Sequence, residues 1–143
     1  MLRRIKGRWE CLCAPLLFHT VDVLFTLSGQ PEQYWANHKI TSEMSPILRH
    51  LLEHSPSIYI MGVVAWAIAM AVCILLLPRS LSVCLAITFT IGHSVAVWGW
   101  LVYRYGFSYW THLWYDPAVA ATVFFVCQRH FYWYYNGPTR PST

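Results

Sequence analysis

The stretch from Ser57 to Leu77 (SIYIMGVVAWAIAMAVCILLL) carries no charged side chain at all. A helix of ~20 apolar residues, rising ~1.5 Å each, matches the hydrocarbon thickness of a bilayer. Lipid offers no hydrogen bonds, so a chain crossing it must pair every backbone group within the segment, and a helix does so. Three further runs have similar length: 9–29, 81–103 (broken only by His93) and 117–135, whose last two turns become polar and aromatic. The chain is 57% hydrophobic and 11% charged, against roughly 25% charged in soluble domains. A chain of this size cannot hide that much apolar surface in one water-soluble core. The sequence therefore reads as an all-α polytopic membrane protein. Residues 1–143 form a single transmembrane domain of four transmembrane helices, at about 9–29, 57–77, 81–103 and 117–135.

Pro78-Arg79-Ser80 is nearly all that separates the second and third runs, which predicts an antiparallel helical hairpin. With the amino terminus in the cytoplasm, the inner side holds Arg3, Arg4, Lys6, Arg8, Arg79, Arg129 and Arg140, and the outer side Lys39, Arg49 and Arg104. That imbalance favours both termini being cytoplasmic. The basic leader before the first run resembles a signal peptide, but the acid and histidine within the run and the lack of an A-x-A-like site before Gln30 predict a retained helix. Trp9, Trp98, Trp100, Trp110, Trp114 and Trp133 fall near span ends, as an interfacial belt requires.

On the outer side, Ser45 followed by Pro46 marks a helix start. Ile47, Leu48, Leu51 and Leu52 then form an apolar stripe opposite Arg49, His50, Glu53 and His54, ended by Pro56. This predicts a short interfacial helix over Pro46 to His54. The five cysteines, Cys11, Cys13, Cys73, Cys84 and Cys127, lie in or beside apolar runs and read as small buried hydrophobes. Charge is not gathered on any basic face, which argues against nucleic acid as a partner.

Against this background Asp22 is out of place. A carboxylate within a span costs ~2.5 kcal/mol or more and calls for a partner, a proton or water. His19 lies three residues before it on the same helix face, and Thr26 one turn after it can bond either Asp22 or its own backbone. His93, between Gly92 and Ser94, sits where a neighbouring helix approaches closely, and its expected partner is the first span. Asp22, Thr26, Glu43 and His93 are thus the expected polar site. The pair of His19 and Asp22 reads as interhelical glue, as a proton relay or as half a metal site. His19, Asp22, Glu43, His93, His112 and Asp116 are the candidate metal ligands. His19 and His93, at similar depth, are candidate axial ligands of a b-type haem. His38, Glu43, His112 and Asp116 with Asp22 are expected to line an outward-facing polar cavity. Asp116, just before Pro117, is also a natural cap for the fourth helix. His50 and His54 have metal-binding spacing, yet no H-E-x-x-H surrounds them.

Hydrolase elbows, phosphate loops and dinucleotide fingerprints are missing from the sequence. The arrangement Asp22-x-x-x-Thr26, then Glu43-Met44-Ser45-Pro46, then a short helix and a span resembles an uncharacterised family of small bacterial four-span membrane proteins. Members of that family carry Asp-x-x-x-Thr followed by Glu-x-Asn-Pro. Ser45 stands here where the family has Asn, and the second span lacks the family's lysine. The resemblance covers roughly residues 18–60 and implies a polar site joining Asp22 and Glu43, with no activity attached. Three functions remain open. The first is an accessory or assembly subunit of a larger membrane complex, seated against a partner protein or a second copy. The second is a membrane enzyme or metal-binding protein with an outward-facing Asp/Glu/His site. The third is a haem- or pigment-binding electron-transfer subunit.

Overall fold

The computed structural model describes residues 9–136; the side chains of residues 79, 109, 112 and 129–136 lie outside the description. Among the described residues there is no strand. The helices are α1 (Glu10–Ser28), α2 (Pro46–His54), α3 (Pro56–Leu76), α4 (Arg79–Tyr103) and α5 (His112–Asn136), with short 3-10 turns at Glu32–Trp35 and Tyr109–Thr111. Three helices are long and apolar enough to cross a membrane: α1, α3 and the Ser80–Tyr103 part of α4. The α5 helix is formed over 25 residues, but its apolar run stops at Cys127, where Gln128-Arg129-His130 follow.

The packing order follows from which residues meet. At one end, Cys11 and Leu12 of α1 cluster with Met70 and Ile74 from the end of α3 and with Val83 and Ala86 from the start of α4. Ser82 fixes this corner by donating its hydroxyl to the Ile74 carbonyl. At the other end, Ser28 of α1 hydrogen-bonds Tyr105 just past α4 at 2.7 Å. So α1 and α4 run parallel, with α3 antiparallel to both. Among the described residues the α1–α4 contact is the most extensive. At Gly29, just past α1, an added Cβ would fall 2.6 Å from the Trp100 ring and 2.7 Å from the Phe25 carbonyl oxygen. Only glycine fits there.

The short amphipathic helix α2 occupies the expected residues. Leu52 is fully buried with Tyr34, Tyr59 and Val63, and Leu48 and Leu51 pack against that cluster. Gly62 of α3 lets α2 sit down, since its missing Cβ would lie 2.6 Å from Leu51. Arg49 and Glu53 remain on the wet side, 4.0 Å apart.

Two expected caps are corrected. Ser45 occupies the cap position of α2 but makes no side-chain cap bond; instead Glu43 Oε1 accepts from the Ser45 N–H at 2.8 Å. The side-chain cap in this region is Ser55, whose hydroxyl accepts from the Ile58 N–H at the start of α3. Asp116 is not a cap either, because α5 begins at His112 and carries Pro117 inside it. Pro117 lacks the N–H that would reach back four residues and crowds the carbonyl there, yet α5 begins a turn before it. His112 opens the helix, and its side chain is outside the description.

Candidate functional site: a buried Asp–His–His line

Asp22, His93 and His19 meet midway along the α1–α4 contact. The His93 Nδ1 and Asp22 Oδ2 are 2.9 Å apart. The other His93 nitrogen, Nε2, lies 3.2 Å from His19 Nδ1, and His19 Nε2 lies 3.2 Å from the Val63 carbonyl oxygen on α3. The two rings meet edge to face, with centroids 4.6 Å apart. Asp22 and His19 are buried, at 9% and 6% exposure. The sequence places them there simply: three residues apart on α1, they share the face that α4 covers.

Proton counting constrains this line closely. Val63 can only accept, so His19 must donate from Nε2. Three bonds then need three protons, and three arrangements supply them. In one, Asp22 is protonated and both rings are neutral. In the second, the carboxylate faces a His93 imidazolium. In the third, the carboxylate and the positive charge are separated, with the charge on His19. Each arrangement satisfies every bond, and each has zero net charge. They interconvert by two short hops of two different protons, one from Asp22 to His93 Nδ1 and one from His93 Nε2 to His19 Nδ1, which together carry one positive charge from Asp22 to His19. A neutral, fully bonded line is what an apolar interior tolerates, since an unpaired charge there is costly.

Next to Asp22 the polar surroundings continue toward the loop. Glu43 is buried at 8% exposure and senses the Asp22 charge. Burial, with Asp22 adding to it, raises the Glu43 carboxyl above the ordinary carboxylate range, against the lowering pull of the Ser45 N–H. Tyr59 of α3 bonds Thr26 through its hydroxyl and feels both Asp22 and Glu43. Gln30 ties the loop down: its Nε2 donates to the Thr26 carbonyl at 2.8 Å, and its Oε1 accepts from the Thr41 hydroxyl and the Ser42 N–H, each at 3.0 Å. Tyr34 donates to the Leu52 carbonyl at 3.1 Å, and burial raises its hydroxyl above the usual phenol value.

The expected residues therefore separate. His93 and His19 join Asp22 directly, Glu43 approaches it electrostatically, and Thr26 belongs to Tyr59. His38 packs on Tyr34 instead, ring centroids 5.1 Å apart. Asp116 lines a groove of about 350 Å³ between α4 and α5 with Ser94, Trp98 and Tyr115, and the Tyr115 hydroxyl donates to the Ser94 carbonyl. His19 and His93, the candidate haem ligands, bond each other at 3.2 Å, whereas two imidazoles on one iron hold their nitrogens about 4 Å apart. Both nitrogens of His93 and both of His19 are engaged in hydrogen bonds. Among the described residues no group of three or more His, Cys, Asp or Glu is placed to hold a metal ion. His50 and His54 stack on each other, and the His54 ring bonds the His50 carbonyl.

Sequence reasoning did not single out Gln30, Tyr34 or Tyr59. The signal for Gln30 was its place directly after a helix-ending glycine, and for the tyrosines their place beside apolar stripes. No family model, curated protein or solved structure matches the chain.

Proposed function

We propose that the chain is a four-span integral membrane protein with both termini cytoplasmic, a non-enzymatic subunit whose Asp22–His93–His19 line holds and passes one proton within the bundle. The observation that carries this reading is the continuous hydrogen-bonded line, closed at net zero charge, between two helices apolar enough to cross a bilayer. A purely structural polar contact needs one bond; a line with three alternative proton arrangements is also a short relay. For the fourth span, support comes from the length of α5 and its uncharged Pro117–Cys127 half. The cytoplasmic termini rest on the basic residues of the two sides. The subunit role rests on the aromatic side chains left on the outside of the bundle, among them Trp66, Trp110, Trp114 and Phe125. They suit lipid or a larger membrane partner.

The test of the proton role is Asp22→Asn. An asparagine amide donates to His93 Nδ1, which makes His93 donate to His19 and His19 donate to Val63. All three bonds survive in one fixed direction, with no proton left to move. Nitrogen NMR of isotope-labelled histidine in bilayers should then show both rings fixed as Nε2–H tautomers, where the natural protein shows ring nitrogens averaged by exchange. Ring signals unchanged by Asp22→Asn refute the reading. The topology is checked by impermeant thiol reagents on Gln33→Cys and Thr139→Cys in a cysteine-free background; labelling of both from one side contradicts four spans.

A further inference from the structure

We infer that His50 and His54 form a two-imidazole site for a divalent transition-metal ion on the exposed face of α2, and that the bound ion clips this helix. Neither residue belongs to the Asp22–His93–His19 line, so the site stands apart from the proton-handling reading.

The two histidines are four residues apart on one helix, which puts them one turn apart on the same face. The helix is formed over Pro46–His54, and its other face is seated on the bundle through Leu48, Leu51 and Leu52. That seat turns His50 and His54 outward, and both are exposed. Their rings meet edge to face with centroids 4.6 Å apart. A metal–imidazole bond is ~2.0 Å and a ring centre lies about 1.1 Å behind its nitrogen, so two imidazoles adjacent on one ion hold their centres roughly 4.5–5 Å apart. The rings already stand at that separation.

Spacing alone does not set this pair apart, because the rings of His19 and His93 are also 4.6 Å apart. The nitrogens do. In the inner pair all four are engaged in hydrogen bonds. In the outer pair, His54 Nδ1 donates to the His50 carbonyl at 3.0 Å, and among the described residues neither ring makes another hydrogen bond. A neutral imidazole donating from Nδ1 keeps its lone pair on Nε2. A backbone carbonyl on the far nitrogen is also the common orienting partner of a metal-bound histidine. His54 thus holds a ligand's tautomer before any ion arrives, and the His50 ring can turn to offer the second nitrogen. The neighbouring Arg49 charge is offset by Glu53, 4.0 Å from it.

Among the described residues no third His, Cys, Asp or Glu joins the pair, so water fills the ion's other positions. The site is therefore open and exchangeable, unlike a closed structural centre. Imidazole selects zinc, nickel or copper over magnesium and calcium. The two rings converge only while α2 is helical, so the ion stabilises that state by mass action. Nine residues are too few to hold a helix in water by themselves. A clip across one turn adds to what the burial of Leu52 supplies.

The experiment uses the full chain in lipid nanodiscs. Zn2+ binding is followed by calorimetry, and electron paramagnetic resonance counts the imidazoles on Cu2+ bound at one equivalent. His50→Ala and His54→Ala should each weaken this Zn2+ site at least about tenfold, because the second linked ligand binds intramolecularly. The double variant should lose little more than either single one, and helix content should be unchanged in all three. Cu2+ should carry two imidazoles in the natural protein and fewer in each variant. Saturating Zn2+ should slow hydrogen exchange of the α2 amides in the natural protein alone. Zn2+ affinity unchanged in either single variant, single losses that add up as two separate sites would, or one imidazole on Cu2+ overturns the site. Exchange of α2 indifferent to bound Zn2+ overturns the clip.

Discussion

Below the Asp–His–His line, α1, α3 and α4 meet through Cys11, Leu12, Met70, Ile74, Val83 and Ala86, none of them charged. Above it, the same helices and their loop meet through Asp22, Thr26, Gln30, Glu43, Tyr59 and His93, nearly all hydrogen-bonded. In lipid the apolar half gains little by hiding from its surroundings, because the surroundings are equally apolar; it is held by close packing. The polar half is held by bonds that each require one partner in one place. The first half tolerates substitutions of similar volume, and the second does not. The line at the boundary takes its burial from the first and its polar partners from the second.

The sharpest way to break this comparison is a pair of swaps to leucine, one in each half. Asp22→Leu leaves the His93 Nδ1 without its partner in an apolar interior and should cost about 3–5 kcal/mol, as other broken buried pairs do. Met70→Leu, in the other half, should cost under about 1.5 kcal/mol. Unfolding of the two variants in detergent checks the contrast, and equal losses would erase the distinction between the halves. Next in size is Gly29→Ala, where the new methyl meets both Trp100 and the Phe25 carbonyl; overpacking of this kind costs about 1–3 kcal/mol. Ser55→Ala removes the cap of α3 and should cost about 1 kcal/mol.

A smaller effect sharpens the electrostatic side. In the folded chain Glu43 holds its proton above the ordinary carboxylate range, so folding favours the protonated form. Its contribution to stability is present below the ordinary carboxylate pKa and is lost as pH rises through the raised value. Glu43→Gln should flatten stability against pH across that window. A profile identical to the natural protein's would show that Glu43 is not buried as described.

Much of the architecture was legible because length and charge alone separate helices that suit lipid from those that do not. The stripe Ile47, Leu48, Leu51, Leu52 and the flanking prolines gave α2 its bounds for the same reason: periodicity is local. The start of α5 was not legible. Pro117 offers a ready starting point, and whether a helix begins a turn earlier depends on packing with α4, which no local pattern encodes. For the site, Asp22 was conspicuous through its cost, and His93 as a partner for the first span was read from its polar place in the third span, between Gly92 and Ser94. That His19 bonds His93 directly was beyond reach, because it depends on how closely α1 and α4 approach. The room left at Gly29 appears only when Trp100 is set against it. Gln30 and Tyr59 were missed for a related reason: polar side chains beside a span read as surface until a loop folds over them.

The central claim is that Asp22, His93 and His19 form one hydrogen-bonded line. Nitrogen NMR on isotope-labelled histidine in bilayers measures it directly, through the scalar coupling that passes across an N–H···N bond. The line predicts a coupling between His93 Nε2 and His19 Nδ1, lost in His93→Gln, with the His93 Nδ1 proton in contact with the Asp22 carboxyl carbon. Two histidines with no mutual coupling, titrating independently of each other and of Asp22, would contradict it.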